Sequence, residues 1–387
     1  MRNSKKDYAG KMTSRRKAAT IFLCSSPLQL IHAHLVRHNY FAAHDSDCFL
    51  FYEGPAPKQL IVDKMWTSVT ELITSKRAHG NAQRNITANL TAIFAEVHWD
   101  GYSSIELIIS DLYWLMNNVA VAAISRMCRI SKKEFSFSIL DEGAVLYTGD
   151  RLGWKRSIRC LGRSAYLFLN GLDTVVVRNS NADYRHPACR TVYCLHPALL
   201  RVPDHVPKVP IDPQRLKEVY RHGFGDLRVE PRSALYLSQP VYQTVGIARQ
   251  AELVRASREM LSRQGIANFY YKPHHFDSDE WRNTVQNEIG FTPIPNGHGL
   301  PVEIWARSCN AEVIFGHFSS ALLNMRAYGY QGRVVACGLK QVSRVFLENK
   351  QFLEYLDVLA RLGTVETLDP FEPRMDRIRV PGAVLDR

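Results

Sequence analysis

The chain reads as an α/β protein made of two doubly wound parallel sheets that face each other across a cleft, and three observations carry that reading. Short apolar runs alternate with helix-periodic segments along most of the sequence. A proline-rich stretch divides the alternation into two halves. The length of 387 residues also suits about two domains of roughly 150 to 200 residues each. A composition that is 46% hydrophobic and 22% charged excludes a disordered, collagenous or disulfide-framework chain. The longest uninterrupted apolar run, Val119 to Ile124, falls far short of the roughly 18 to 20 residues that cross a bilayer.

In order, Ala19 to Cys24 is a buried strand, and Ser25-Ser26-Pro27 turns into a helix over Leu28 to His38, with Pro27 suited to a first helical turn. Cys48 to Tyr52 reads as a strand, Lys58 to Lys76 as a helix, Ser104 to Ile109 as a strand followed by a helix to about Arg129, and Phe135 to Leu140 as a strand. Five prolines between His196 and Pro213 exclude a long helix or a central strand and mark a linker. Beyond it come strands at Ala234 to Ser238, Asn268 to Lys272, Ala311 to Phe315 and Val334 to Cys337. Helices are expected at Ile247 to Arg263, Val302 to Ser308 and Ser320 to Tyr328. The expected division is a basic tail 1–17, a first domain 18–196, a linker 197–213 and a second domain 214–387.

Seven Lys or Arg against Asp7 alone place half of the formal net charge of +12 in residues 1–17. Such a tail suits anionic lipid or a solvated chain start. Arg185, Arg190, Arg201, Arg221, Arg228 and Arg232 offer a basic face for an acidic substrate, or solubility. The eight cysteines form no C-x-x-C pair and sit largely in apolar runs, as reduced core thiols do. The group His186, Cys189, Cys194 and His196 has no common zinc-finger spacing and overlaps a strand. No recognisable nucleic-acid module is present.

Open α/β sheets carry their chemistry beyond the carboxyl ends of the strands. Four motifs fall there: Ser25-Ser26-Pro27-Leu28-Gln29, Asp141-Glu142-Gly143, Lys272-Pro273-His274-His275 and Gly316-His317-Phe318-Ser319-Ser320. A carboxylate of Asp141 or Glu142 in the cleft can take a proton from an attacking hydroxyl, or the pair is an acidic turn. An imidazolium at His274 can donate to a phosphate oxygen that gains charge. Ser319 and Ser320, opening a helix, suit an anion or cap the helix. Glu303 can accept a ribose diol or favour a helix dipole. Ser25, Ser26 and Gln29 face the same cleft or cap the first helix. Gly-rich nucleotide loops of the G-x-G-x-x-G or Walker type are absent.

In that order, the acidic pair with glycine, the Lys-x-His element and the serine pair resemble the bacterial sialyltransferases and α-2,8-polysialyltransferases of glycosyltransferase families 38 and 52. These enzymes make capsular polysialic acid or sialylate lipooligosaccharide. Leu23 to Gln29 also looks like the start of their N-terminal domain, so the likeness spans about residues 18 to 340. The family proline after the catalytic histidine is His275 here, and Lys272 aligns the motif so that His274 takes the role.

The resemblance implies a GT-B architecture of two Rossmann-like domains, with the acceptor on the N-terminal side and a CMP-sialic acid donor on the C-terminal side. It also implies inverting transfer of sialic acid to a glycan hydroxyl. In it Asp141 is the base, with Glu142 the alternate, and His274 is the acid. Ser319, Ser320 and Lys272 stabilise the leaving phosphate, with Glu303, Ser25, Ser26 and Gln29 among the substrate contacts. A monophosphate leaving group needs no divalent ion, so no metal is expected. The expected setting is cytoplasmic, with peripheral contact to the inner membrane or capsule-assembly machinery, a polyanionic acceptor and no nucleic-acid partner. The rival readings are transfer of another nucleotide-activated sugar on the same scaffold, and a non-catalytic protein that binds anionic glycans.

Overall fold

The computed structural model describes residues 17–41, 46–54, 56–74, 82–148, 154–175, 184, 186–294, 299–346 and 350–370. The tail 1–16 and Arg185 lie outside them. The first lobe runs β1 (Lys17–Cys24), α1 (Pro27–Tyr40), β2 (Ser46–Glu53), β3 (Ser68–Leu72), α2 (Ala82–Glu96), β4 (Tyr102–Ile109), α3 (Leu115–Ile130), β5 (Glu134–Leu140), α4 (Ala144–Tyr147), α5 (Trp154–Leu169), β6 (Cys189–Cys194) and β7 (Lys208–Pro210). The second runs α6 (Leu216–Val219), β8 (Ser233–Leu237), α7 (Tyr242–Val245), α8 (Ile247–Arg263), β9 (Asn268–Lys272), α9 (Asp279–Asn283), β10 (Thr292–Pro293), β11 (Val313–Gly316), α10 (Ser320–Asn324), β12 (Arg333–Cys337), α11 (Leu339–Phe346), α12 (Lys350–Leu362) and β13 (Glu366–Leu368).

Both sheets are parallel throughout, in the orders β3-β2-β1-β4-β5-β6-β7 and β10-β9-β8-β11-β12-β13. In each the strand order reverses beside the lobe's first strand, which opens a crevice between the β1 and β4 ends and another between the β8 and β11 ends. This is the GT-B architecture of two facing Rossmann-like lobes. The central strands are buried on both faces, so they read as unbroken apolar runs: Ala19 and Ile21 to Cys24 in β1, and Val313 to Phe315 in β11.

One apolar cluster runs from the first lobe through the lobe interface onto one face of the second sheet. A separate core around Tyr236, Trp281, Phe291 and Phe315 fills that sheet's other face. The lobes are pinned directly as well. The His32 ring stacks on Tyr328 with centroids 6.2 Å apart, Tyr220 Oη donates to the Leu60 carbonyl at 3.3 Å, and Arg201 pairs with Asp357 at 2.9 Å. Residues 197–213, expected as a linker, contribute the edge strand β7 to the first sheet before the chain crosses over. Pro210 ends that strand, where no ladder donor is lost.

Three expectations are corrected. Instead of a helix over Lys58 to Lys76, the chain forms two short 3-10 turns and then β3, which pairs with β2 from Phe49↔Ser68 to Glu53↔Leu72. The physical reason is a tertiary capture. His34 lies buried in α1 with its Nδ1 donating to the Leu30 carbonyl at 2.6 Å, while its Nε2 accepts from the Val62 N–H at 3.2 Å and the Trp66 indole at 3.1 Å. That bond takes the Val62 N–H out of any helical ladder. The helix expected over Val302 to Ser308 is a single 3-10 turn, and the one expected over Ser320 to Tyr328 closes its regular part at Asn324.

Burial pushes the His34 imidazole down to about 4. Its neutral ring is the form that satisfies all three partners, so stability is whole above the unfolded pKa near 6.5 and is lost as pH falls toward 4. Thermal unfolding between pH 7 and 4 will show the loss, on the order of 3 kcal/mol for a fully buried imidazole. His34→Leu will lower stability at pH 7 and make the acid limb less steep.

Candidate active site

The acidic turn that ends β5 divides its two carboxylates between different tasks. Asp141 points inward and is fully buried. Its Oδ1 accepts from the Gly143 N–H at 2.6 Å, and its Oδ2 accepts from the Leu195 N–H at 2.8 Å and from the Tyr147 hydroxyl. The same hydroxyl accepts the Leu195 and His196 N–H groups at 3.1 Å, and burial beside Asp141 pushes its own pKa well up. His32 Nδ1 lies 2.8 Å from the Asp141 carbonyl. Asp141 therefore ties the turn to the end of β6 and to α1, with its carboxylate occupied by protein donors.

Glu142 is the half-exposed member of the pair. Its side chain hydrogen-bonds Asp111, which follows β4 and which the motif reading did not single out. Burial raises the Asp111 pKa, against the lowering effect of the Trp114 N–H, which it accepts at 2.6 Å, the Glu142 contact and the Ser110 hydroxyl at 3.3 Å. Glu142 also stands close enough to Cys24, at the end of β1, to add its charge to the burial that raises that thiol. The pair thus lies in the crevice between the β1 and β4 ends. The available signal for Asp111 was its place just past an apolar strand.

At the same crevice Ser26 caps α1, its Oγ accepting from the Gln29 N–H at 3.3 Å. The buried Gln29 turns its Oε1 back onto the Ser25 N–H at 2.6 Å. Its Nε2 is buried with no hydrogen-bond partner among the described residues.

Gly143 joins the two lobes. Its φ of +99° is a conformation that glycine adopts without strain, and a Cβ there would meet the Ser320 Cβ at 2.6 Å and its Oγ at 3.0 Å. The acidic turn and the serine pair, some 175 residues apart in sequence, are thus in contact. Ser319 caps α10, its Oγ accepting from the Ala321 N–H at 3.3 Å, and both serines are half-exposed. The loop before them is clamped by Gln239, which follows β8 and grips both backbone groups of Phe318, accepting from its N–H at 2.6 Å and donating to its carbonyl.

Glu303 is buried and accepts from Asn324 Nδ2 at 3.1 Å, which links it to the far end of α10. Burial lowers the Lys272 ammonium to about 8, a fall opposed by the charges of Glu303 and Asp277. His274 is half-buried, and burial together with the Lys272 charge pushes it down to about 4. Its backbone N–H donates to Asp277 Oδ2 at 2.8 Å and its Nδ1 accepts from the Phe276 N–H at 3.2 Å, so the neutral ring carries its proton on Nε2. The expected imidazolium is therefore a neutral Nε2–H donor here, because burial and the Lys272 charge both disfavour a second proton. His275 stacks on it at 4.2 Å and is exposed. Among the described residues no three His, Cys, Asp or Glu side chains group closely enough to hold a metal ion, the His186 to His196 set included.

No family model matches the chain, and no curated protein matches it. Solved structures do. The S. aureus MnaA protein with UDP aligns over 88% of this chain and 91% of its own, with 7% identity and a TM-score of 0.50. The α/β-galactoside α-2,3-sialyltransferase of Photobacterium phosphoreum aligns over 91% and 98%, with 12% identity and a TM-score of 0.49. The calicheamicin glycosyltransferase CalG4 aligns over 92% and 86%, with 12% identity and a TM-score of 0.43. At these identities the likeness is one of fold.

The Gly143 contact makes a double-substitution test. Gly143→Ala will destabilise the protein by about 2 to 4 kcal/mol in chemical denaturation, through φ strain and the collision with Ser320. Adding Ser320→Gly removes the collision and will recover only part of that loss.

Proposed function

We propose that the protein is an inverting glycosyltransferase that moves sialic acid from CMP-sialic acid to a hydroxyl of a glycan acceptor. The observation that carries this reading is the Gly143–Ser320 contact, which brings the turn bearing a half-exposed carboxylate in one lobe against the serine pair of the other. The order of the three motifs, and their likeness to the sialyltransferase and polysialyltransferase families, supports the donor class. Lipooligosaccharide and capsular polysialic acid are the acceptors that this likeness favours.

In the proposed reaction Glu142 is the base, because Asp141 is engaged in holding the turn. Glu142 takes the proton of the acceptor hydroxyl, whose oxygen attacks the anomeric carbon as the bond to the CMP phosphate breaks, inverting the configuration. Asp111, hydrogen-bonded to Glu142, sets the orientation and proton affinity of the base. The departing phosphate gains charge. His274 Nε2–H, Lys272 and the Ser319 and Ser320 hydroxyls are the donors that meet it, the kind of stabilisation that usually dominates such steps. An anion beside His274 offsets its desolvation and raises its proton affinity, so with donor bound the ring can hold the proton that it delivers to the leaving phosphate. No step requires a metal ion. Ser25 and Ser26 stand at the acceptor-side crevice, while Glu303 orders the loop through Asn324 and supports the charge on Lys272.

Mass spectrometry of acceptor panels incubated separately with CMP-sialic acid, CMP-Kdo and UDP-hexoses tests the donor. Transfer from CMP-sialic acid is expected, and turnover with a UDP-sugar alone overturns the reading. Glu142→Gln will cut kcat by about 100-fold to 10,000-fold, the range of a lost general base, with CMP affinity kept. Asp141→Asn will chiefly lower the unfolding temperature.

The Lys272 ammonium, at about 8, gives the pH profile a direction. Initial-rate measurements should show kcat/KM falling as pH rises through about 8, where the cation is lost. Lys272→Arg will move that limb to higher pH.

A further inference from the structure

Helix α5 turns an apolar stripe toward solvent. Cys160 and Leu167 are buried against the first lobe, and Arg163, between them in helical register, donates from Nη2 to the Tyr113 carbonyl at 2.9 Å. Its guanidinium also lies 5.2 Å from the Tyr113 ring centroid. That row is the inner face. On the opposite side Ile158, Leu161, Phe168 and Leu169 are 57%, 53%, 68% and 82% exposed, with Ala165 exposed between them. Spacings of three, four, three and one put these five on one stripe of the helix. A helix packed on a water-soluble body ordinarily turns polar residues outward, whereas here the large apolar side chains are outside and contiguous.

Charge identifies the occupant. Apart from the inward Arg163, the 16 residues of α5 include Lys155, Arg156 and Arg159, and no Asp or Glu. A second copy seated on this face would bring the same cations, and the same net charge of +12, against themselves. An anionic lipid surface complements both properties at once, taking apolar side chains at the acyl boundary and cations at the headgroups. At about 1.5 Å per residue the helix is roughly 24 Å long, shorter than the ~30 Å hydrocarbon core, so it suits the membrane plane and not a span.

We propose that α5 is a membrane-docking helix, which seats the protein peripherally on an anionic bilayer through the Ile158, Leu161, Phe168 and Leu169 stripe. Through Arg163 and Tyr113 the docked helix is tied to the loop that carries Asp111. The acceptor side of the cleft is thereby held beside the membrane surface, where a lipid-anchored glycan is presented. Docking does not depend on which sugar is transferred, so lipid binding and donor specificity succeed or fail separately.

Sedimentation of the full chain with vesicles tests the proposal. Binding is expected to equimolar phosphatidylcholine and phosphatidylglycerol, to be weak to phosphatidylcholine alone, and to fall with added salt. Leu161→Ser with Phe168→Ser will lower the partition coefficient about tenfold or more, since each removes a large apolar side chain from the acyl boundary. Its unfolding temperature and CMP affinity should match the unsubstituted protein. As an independent reporter, Leu169→Trp will show extra quenching by acyl-brominated lipid. Undiminished binding of the double variant assigns lipid contact elsewhere, such as residues 1–17, and overturns the proposal. So does failure of the unsubstituted protein to bind, or a dimer in light scattering that the double variant dissociates.

Discussion

The junction between the lobes depends on the fully buried carboxylate of Asp141. It accepts donors from its own turn, from the end of β6 and from Tyr147, and with them fixes where β5 stops and in which direction the chain leaves. That geometry places Gly143 at a φ available to glycine, which lets the turn approach Ser320 of the second lobe without an intervening side chain. Glu142, next in the chain, is left half-exposed and turned toward Asp111 and the β1 end. The carboxylate of Asp141 is taken up by protein donors, whereas that of Glu142 is partly open to solvent.

The second lobe handles charge by mutual compensation under burial. Lys272, Glu303 and Asp277 act on one another electrostatically, and the two carboxylates partly offset the desolvation of the lysine. His274 stands near the same cation, and burial together with that charge keeps its ring neutral. The serine loop is held by the Ser319 hydroxyl, which caps α10, and by the Gln239 clamp on Phe318. Because α10 is only five residues long, its dipole adds little, and the donors themselves account for most of any attraction for an anion.

The outward stripe of α5 belongs to the same organisation. The helix starts seven residues after the end of α4, the short helix that leaves the acidic turn, and it returns through Arg163 to the loop bearing Asp111. Its inner face carries the buried Cys160 and Leu167, and its broader apolar side is exposed.

Much of the architecture was legible from residue order. Parallel strands buried on both faces are largely apolar, so β1, β4, β8, β11 and β12 announce themselves as short apolar runs, and α8 by its period. The motifs at strand ends were legible because doubly wound sheets place ligands there. The span 58–76 was not, because its backbone donors are taken by His34 from another element, and local periodicity cannot report a bond made across the fold. Likewise the acidic pair, the lysine–histidine element and the serine pair follow from the sequence alone, since residue type and strand position are local properties. Only the tertiary structure decided which carboxylate faces inward, that Asp111 joins Glu142, that His274 is neutral and that Gly143 meets Ser320. Burial, proton affinity and contact depend on what the rest of the chain brings alongside, and distance along the sequence does not encode that.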